Sequence, residues 1–170
     1  MFPSELMISN TKIKNIRKIL LPIDGSVTSM KAARYGISLA TKFGSALIGL
    51  TVIDLMSLPY GYFLTQPGTR SHDNILEVKR KEAKKWLGEV ESLTLDILKE
   101  TEYPKGKFRS EILEDPYSKV ENAIIKFAES ESIDLIVIGS KGRTGFKRTL
   151  LGSVASAVLS YARCPVLTVR

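Results

Sequence analysis

Three runs of nearly unbroken apolar residues stand out along the chain: RKILLPI (Arg17–Ile23), ALIGLTVI (Ala46–Ile53) and DLIVIG (Asp134–Gly139). A shorter one, PVLTV (Pro165–Val169), closes it. Continuous apolar runs of this length, bounded by turn residues, suit strands covered on both faces. GKFRSEIL (Gly106–Leu113) alternates instead, as a half-exposed or edge strand does. Between these runs the period changes to that of helices. Ala32, Gly36, Leu39, Ala40 and Phe43 mark one, with Ser26 or Thr28 as N-cap and Gly44 as stop. Ala83, Trp86, Val90, Leu93 and Ile97 mark a second. Asp115-Pro116, as N-cap and first helical residue, opens a third with Val120, Ala123, Ile124, Phe127 and Ala128 on one face. Val154, Ala157, Val158 and Tyr161 mark the last.

The resulting order, β-α-β-α-β-α-β-α-β, predicts a single-domain α/β fold: an open, doubly wound, parallel five-stranded sheet with helices on both faces. Two segments fall outside the pattern. Residues 1–15 show no period and are expected to form a loose arm before a domain spanning 16–170. Residues 54–73 hold two prolines, two glycines and three aromatics without period, and read as a long loop of the kind that forms lids or partner surfaces. The lone His72, with no cysteine or second histidine nearby, reads as a solvated loop residue.

Composition adds little to this picture and charge somewhat more. The 44% hydrophobic and 25% charged content is that of an ordinary globular chain. The net charge of +7 favours acidic partners, and its cations cluster in KRKEAKK (Lys79–Lys85) and at Lys141, Arg143, Lys147 and Arg148. The first cluster reads as a solvated helix face. A single cysteine, Cys164, excludes an intramolecular disulfide framework and suits a small buried role. No apolar run approaches the ~20 residues of a membrane helix. The N-terminus lacks the basic start and apolar core of a signal peptide, so the expected location is cytoplasmic.

Candidate chemistry lies at the strand ends. In doubly wound sheets, ligands bind outside the carboxyl ends of the strands where the winding reverses. With strand order 3-2-1-4-5, PIDGS after the first strand would face GSKGRTG after the fourth. The second segment is neither of two familiar glycine fingerprints. It lacks the Gly-Lys-Ser/Thr of a P-loop, and the turn after the first strand has too few glycines for a dinucleotide fingerprint. What it has is Gly139, Gly142 and the pair Gly152-Ser153 at the start of the last helix. Such glycines admit close approach of backbone amides to a ligand, and a helix N-terminus attracts phosphate. Glycines of this kind also serve turns and close helix packing.

In their order and spacing, KILLPIDGS, GLTVID, DLIVIGSKGRTGFKRTLLGSVAS and CPVLTV closely resemble the universal stress protein family over about Lys18 to Arg170. The Gly-x2-Gly-x9-Gly-Ser spacing resembles that of the family's ATP-binding branch. The resemblance implies a Rossmann-like, adenine-nucleotide-binding sheet of order 3-2-1-4-5 and a homodimer through the last strand (Pro165–Val169). It also implies roles by position: Pro22 and Asp24 near ribose and adenine, and Val52 in the adenine slot. Ile138, Gly139, Ser140, Gly142, Gly152, Ser153 and Val154 fall on the phosphate side. The implied ligand is ATP, or ADP or AMP, with any Mg or Mn ion held through the phosphates and no metal site of the protein's own. Asp24 also has a turn or cap reading, because Asp-Gly-Ser is good turn chemistry. Three places depart from the family pattern: Ala155 stands where many ATP-binding members carry Thr or Ser, Glu114 where glycine is frequent, and the long Tyr60–Phe63 loop is fixed by no family motif.

Function follows as a nucleotide-dependent switch or chaperone-like regulatory module in the stress response, with an unknown protein partner. The alternative is a slow ATP-hydrolysing or nucleotidyl-transferring enzyme on the same fold, and no catalytic residue is evident for it. Nucleic-acid binding through the two basic clusters ranks last.

Overall fold

The structure, a computed structural model, describes residues 15–55, 70–98, 108–143 and 151–170, with backbone only for 70–73 and 98. Residues 1–14 of the N-terminal arm, residues 56–69 of the 54–73 loop, and Lys147 and Arg148 lie outside the described residues.

Among the described residues five strands and four helices alternate: β1 (Lys18–Pro22), α1 (Val27–Phe43), β2 (Ala46–Ile53), α2 (Arg70–Leu98), β3 (Phe108–Glu114), α3 (Val120–Ser130), β4 (Leu135–Gly139), α4 (Ser153–Tyr161) and β5 (Val166–Val169). All pairings are parallel and the strand order is β3-β2-β1-β4-β5, as the sequence predicts. Register is set by pairs such as Leu20 with Ile48 on one side and Leu20 with Ile136 on the other. Successive residues of β1 feed opposite cores. Ile19, Leu21 and Ile23 pack with Ala33 and Ile37 of α1 and Leu87 and Val90 of α2, while Leu20 packs with Ile124 of α3 and Val158 of α4. That double coverage is why β1 reads as an unbroken apolar run. Burial of each such side chain contributes about 1.5–3 kcal/mol.

Helix boundaries follow local chemistry. Ser26 caps α1, its hydroxyl accepting from the Ser29 amide at 3.1 Å, and Gly44 ends the helix in the left-handed region at φ 66°. Gly36 lets α1 lie directly on Leu21, where a Cβ would collide with the leucine side chain. Three details differ from the sequence pattern. Phe43 is 51% exposed, because the last turn of α1 runs past the core. Helix α2 begins at Arg70 and so includes His72, since nothing after Pro67-Gly68 interrupts the helix. Asp115 does not cap α3. Its carboxylate accepts from the Tyr117 amide at 2.9 Å in a local turn, and α3 starts only after Lys119.

At the end of the sheet opposite the β1 and β4 carboxyl termini, ion pairs tie edge strand β3 and central strand β1 to the end of α3. Arg109 of β3 lies 2.8 Å from Glu131, which also meets Lys18 at 3.5 Å. The hydrogen bond from Arg109 is the main cause that holds the Glu131 carboxyl below its ordinary range.

Candidate functional site

The winding reverses between β1 and β4, and the segments leaving these strands meet there. Ser26 and Thr28, at the start of α1, both donate to the carbonyl of Lys141, the former at 3.2 Å. The Lys141 amide returns a longer bond to the Thr28 hydroxyl at 3.4 Å. The turn after β4 is therefore pinned to the first turn of α1. Gly139 is required for that contact: a Cβ there would lie 2.6 Å from the Ser29 nitrogen and 2.6 Å from the Thr28 carbonyl carbon.

Asp24 serves both halves of the crevice. One carboxylate oxygen accepts from the Ser26 amide at 3.0 Å, which is the turn role. The other faces Gly142, where an added Cβ would stand 3.1 Å away. Gly152 approaches the same turn from the other side. Its amide donates to the Ser140 carbonyl at 2.7 Å, and its own Cβ position is 3.3 Å from that oxygen. The first bond inside α4 runs from the Ser156 amide to the Gly152 carbonyl at 2.9 Å. The helical ladder thus leaves the amides of Ser153, Val154 and Ala155 unused at the positive end of the helix.

A cavity of about 520 Å³ opens above this junction. Pro22, Val52, Val120, Ile124, Ile138 and Leu151 are apolar side chains of its lining, and Gly139, Gly142, Gly152, Ser153 and Val154 line it as well. Of the ten positions singled out in the sequence, nine line this cavity. Ser140 does not. It is 2% exposed, its amide donates to the Val169 carbonyl at 2.7 Å, and its carbonyl accepts from Gly152. Ser140 holds the cradle together from behind.

Sequence reasoning missed a third wall, supplied by α2. Lys79, Glu82 and Trp86 line the cavity, as does Asp54 at the end of β2. The Trp86 indole presses onto Gly25, where a Cβ would overlap the ring and where φ is 76°. Arg143 stacks over that indole at 5.0 Å from its centroid. Glu114 takes two bonds from Arg80 of α2, at 2.7 and 2.8 Å, so this departure from the family pattern ties α2 to the end of β3. The same contact with Arg80 holds the Glu114 carboxyl below its usual range. Among the described residues no group of three His, Cys, Asp or Glu side chains is placed to hold a metal ion, and no helix is long and apolar enough to cross a membrane.

The architecture is an open α/β domain, a parallel doubly wound sheet with a crevice at its switch point, the place where sheets of this kind bind ligands. The model of the universal stress protein family matches residues 15–170, and the chain belongs to that family. Universal stress protein MJ0531 of Methanocaldococcus jannaschii is 35% identical over 167 residues, 96% of this chain and 89% of that relative. The solved universal stress protein UspA from Lactobacillus plantarum superposes with a TM-score of 0.72 at 25% identity, over 92% of this chain and 99% of its own. Two neighbours at 20% identity and TM-score 0.61, each over 92% of this chain, share the fold. One is a universal stress protein in complex with cAMP, the other that of Archaeoglobus fulgidus in complex with dAMP.

Proposed function

We propose that the chain is a cytoplasmic stress-response protein that binds an adenine nucleotide, ATP or one of its shorter relatives, in the switch-point crevice. The observation that carries this reading is that one cavity is lined both by apolar side chains, Pro22, Val52 and Ile138 among them, and by a glycine turn that lies against the start of α4. A base fits the first and phosphates the second. Asp24, at the junction, accepts from ribose hydroxyls. Gly142, Gly152, Ser153 and Val154 hold the phosphates, and Gly139 and Ser140 brace the turn that presents them. Any Mg or Mn ion rides on the phosphates. The cAMP and dAMP complexes of proteins with this fold support the choice of adenine.

The output of binding is conformational, a switch read by a protein partner. A second reading, slow ATP hydrolysis, draws on Asp24 and Asp54, carboxylates that line the same cavity. Mass spectrometry of small molecules released from freshly purified protein is expected to find an adenine nucleotide at up to one per chain. Its absence, with no uptake on soaking, contradicts the reading. A turnover assay on the same preparation decides between holding and hydrolysis, with sustained release of phosphate favouring the enzyme.

The same reading includes a homodimer through β5. This strand is an edge of the sheet, and its Leu167 is 37% exposed. Val166 packs into the core, so Leu167 is the better probe. Leu167→Lys is expected to shift a dimer toward monomer in light scattering. A dimer of unchanged stability in the variant counts against this interface.

A further inference from the structure

The α2 wall brings to the crevice a carboxylate whose neighbours are the cations a phosphate would seek. We propose that Glu82 sets the crevice's preference among ligands of different phosphate charge, by holding Lys79 and Arg143. The proposal rests on the nucleotide reading above and adds a residue that determines specificity. One oxygen, Oε2 of Glu82, lies 3.4 Å from Lys79 Nζ and 3.5 Å from Arg143 Nη1. All three side chains line the cavity. Arg143 is kept at this place by its stacking on Trp86, and Trp86 by its seat on Gly25.

The charge balance of the described lining makes the consequence clear. Asp24, Asp54 and Glu82 oppose Lys79, Lys141 and Arg143, three charges against three. A phosphate entering beside the glycine turn must draw Lys79 and Arg143 away from Glu82, and it is repelled by that carboxylate meanwhile. Both effects grow with each negative charge on the ligand. Glu82 therefore disfavours a triphosphate more than a monophosphate. Its side chain is 36% exposed and that of Arg143 50%, so solvent and salt weaken the effect without removing it.

The test is calorimetric titration of AMP, ADP and ATP into the wild type, Glu82→Gln and Arg143→Gln, at low and high salt. Glu82→Gln keeps the shape and removes the charge. It is expected to tighten AMP about twofold and ATP about tenfold, with ADP between, and the differences shrink at high salt. Arg143→Gln is expected to move affinity the other way, weakening ATP more than AMP. A gain that is absent or equal for all three ligands in Glu82→Gln overturns the proposal, as does an Arg143→Gln variant that binds ATP like the wild type. If no adenine nucleotide binds any of the three proteins, the nucleotide reading fails and the proposal with it. Binding to the wild type without the graded response defeats the role of Glu82 alone.

Discussion

Gly139→Val is expected to destabilise the protein by about 3–5 kcal/mol and to lower its melting temperature by about 10 °C or more. The position ends β4, and its missing side chain is where the first turn of α1 lies. A Cβ would meet the Ser29 nitrogen and the Thr28 carbonyl carbon, both at 2.6 Å. These are backbone atoms of a capped helix and cannot rotate aside as a side chain would. Relief requires α1 to move off the sheet, and α1 carries Ala32, Ala33, Ile37 and Ala40 of the core. Gly88→Ala is the control. A Cβ there meets nothing within 4 Å on an open face of α2, and alanine is expected to be neutral or to add about 0.5–1 kcal/mol. Thermal and urea denaturation followed by circular dichroism measure both. A Gly139→Val protein as stable as the wild type contradicts the close approach of α1 to β4.

Gly152→Val is expected to weaken ATP binding about 100-fold or more in a protein that still folds, a change of about 2.7 kcal/mol. Gly152 has an ordinary extended backbone, φ −72° and ψ 159°, so the glycine is there for space and not for conformation. Its Cβ position lies 3.3 Å from the Ser140 carbonyl oxygen and 3.5 Å from the Lys141 Cα. Alanine needs a shift of a few tenths of an ångström, whereas the branches of valine need more. Valine is also a poor N-cap. The segment that must give way is the turn bearing Gly142, opposite Asp24. The variant therefore separates the two sides of the cradle at the cost of the turn's bonds to Ser26 and Thr28, while the apolar cores on both faces of the sheet stay in place.

Much of this was legible in the sequence, for identifiable reasons. Strands covered on both faces leave unbroken apolar runs, so β1, β2 and β4 were plain and their alternation with helices implied the parallel sheet. The weaker period of β3 correctly marked an edge. The strand ends were legible because turn chemistry is local: Asp24 accepts from the Ser26 amide, and Ser26 from the Ser29 amide, all within six residues. The α2 wall was not. Trp86 sits in the core stripe of its helix by spacing, and nothing in its neighbourhood indicates that it closes over Gly25, some sixty residues earlier. A hint was available in Lys79 and Glu82, charges on the same helix flank as Trp86, but helix period cannot say what that flank faces. Asp115 misled because the same carboxylate suits an N-cap and a short turn equally, and the turn prevailed. Ser140 was placed on the phosphate side by its motif, whereas its amide completes the pairing of β4 with β5.

The central claim is that the switch-point crevice holds an adenine nucleotide on the turn braced by Gly152. Calorimetric titration of ATP into the wild type and into Gly152→Val, each first shown to be folded by circular dichroism, tests it most directly. The account predicts saturable binding at one nucleotide per chain in the wild type and its near-complete loss in the variant. Equal affinity in the two proteins, or no saturable heat in the wild type, would contradict it.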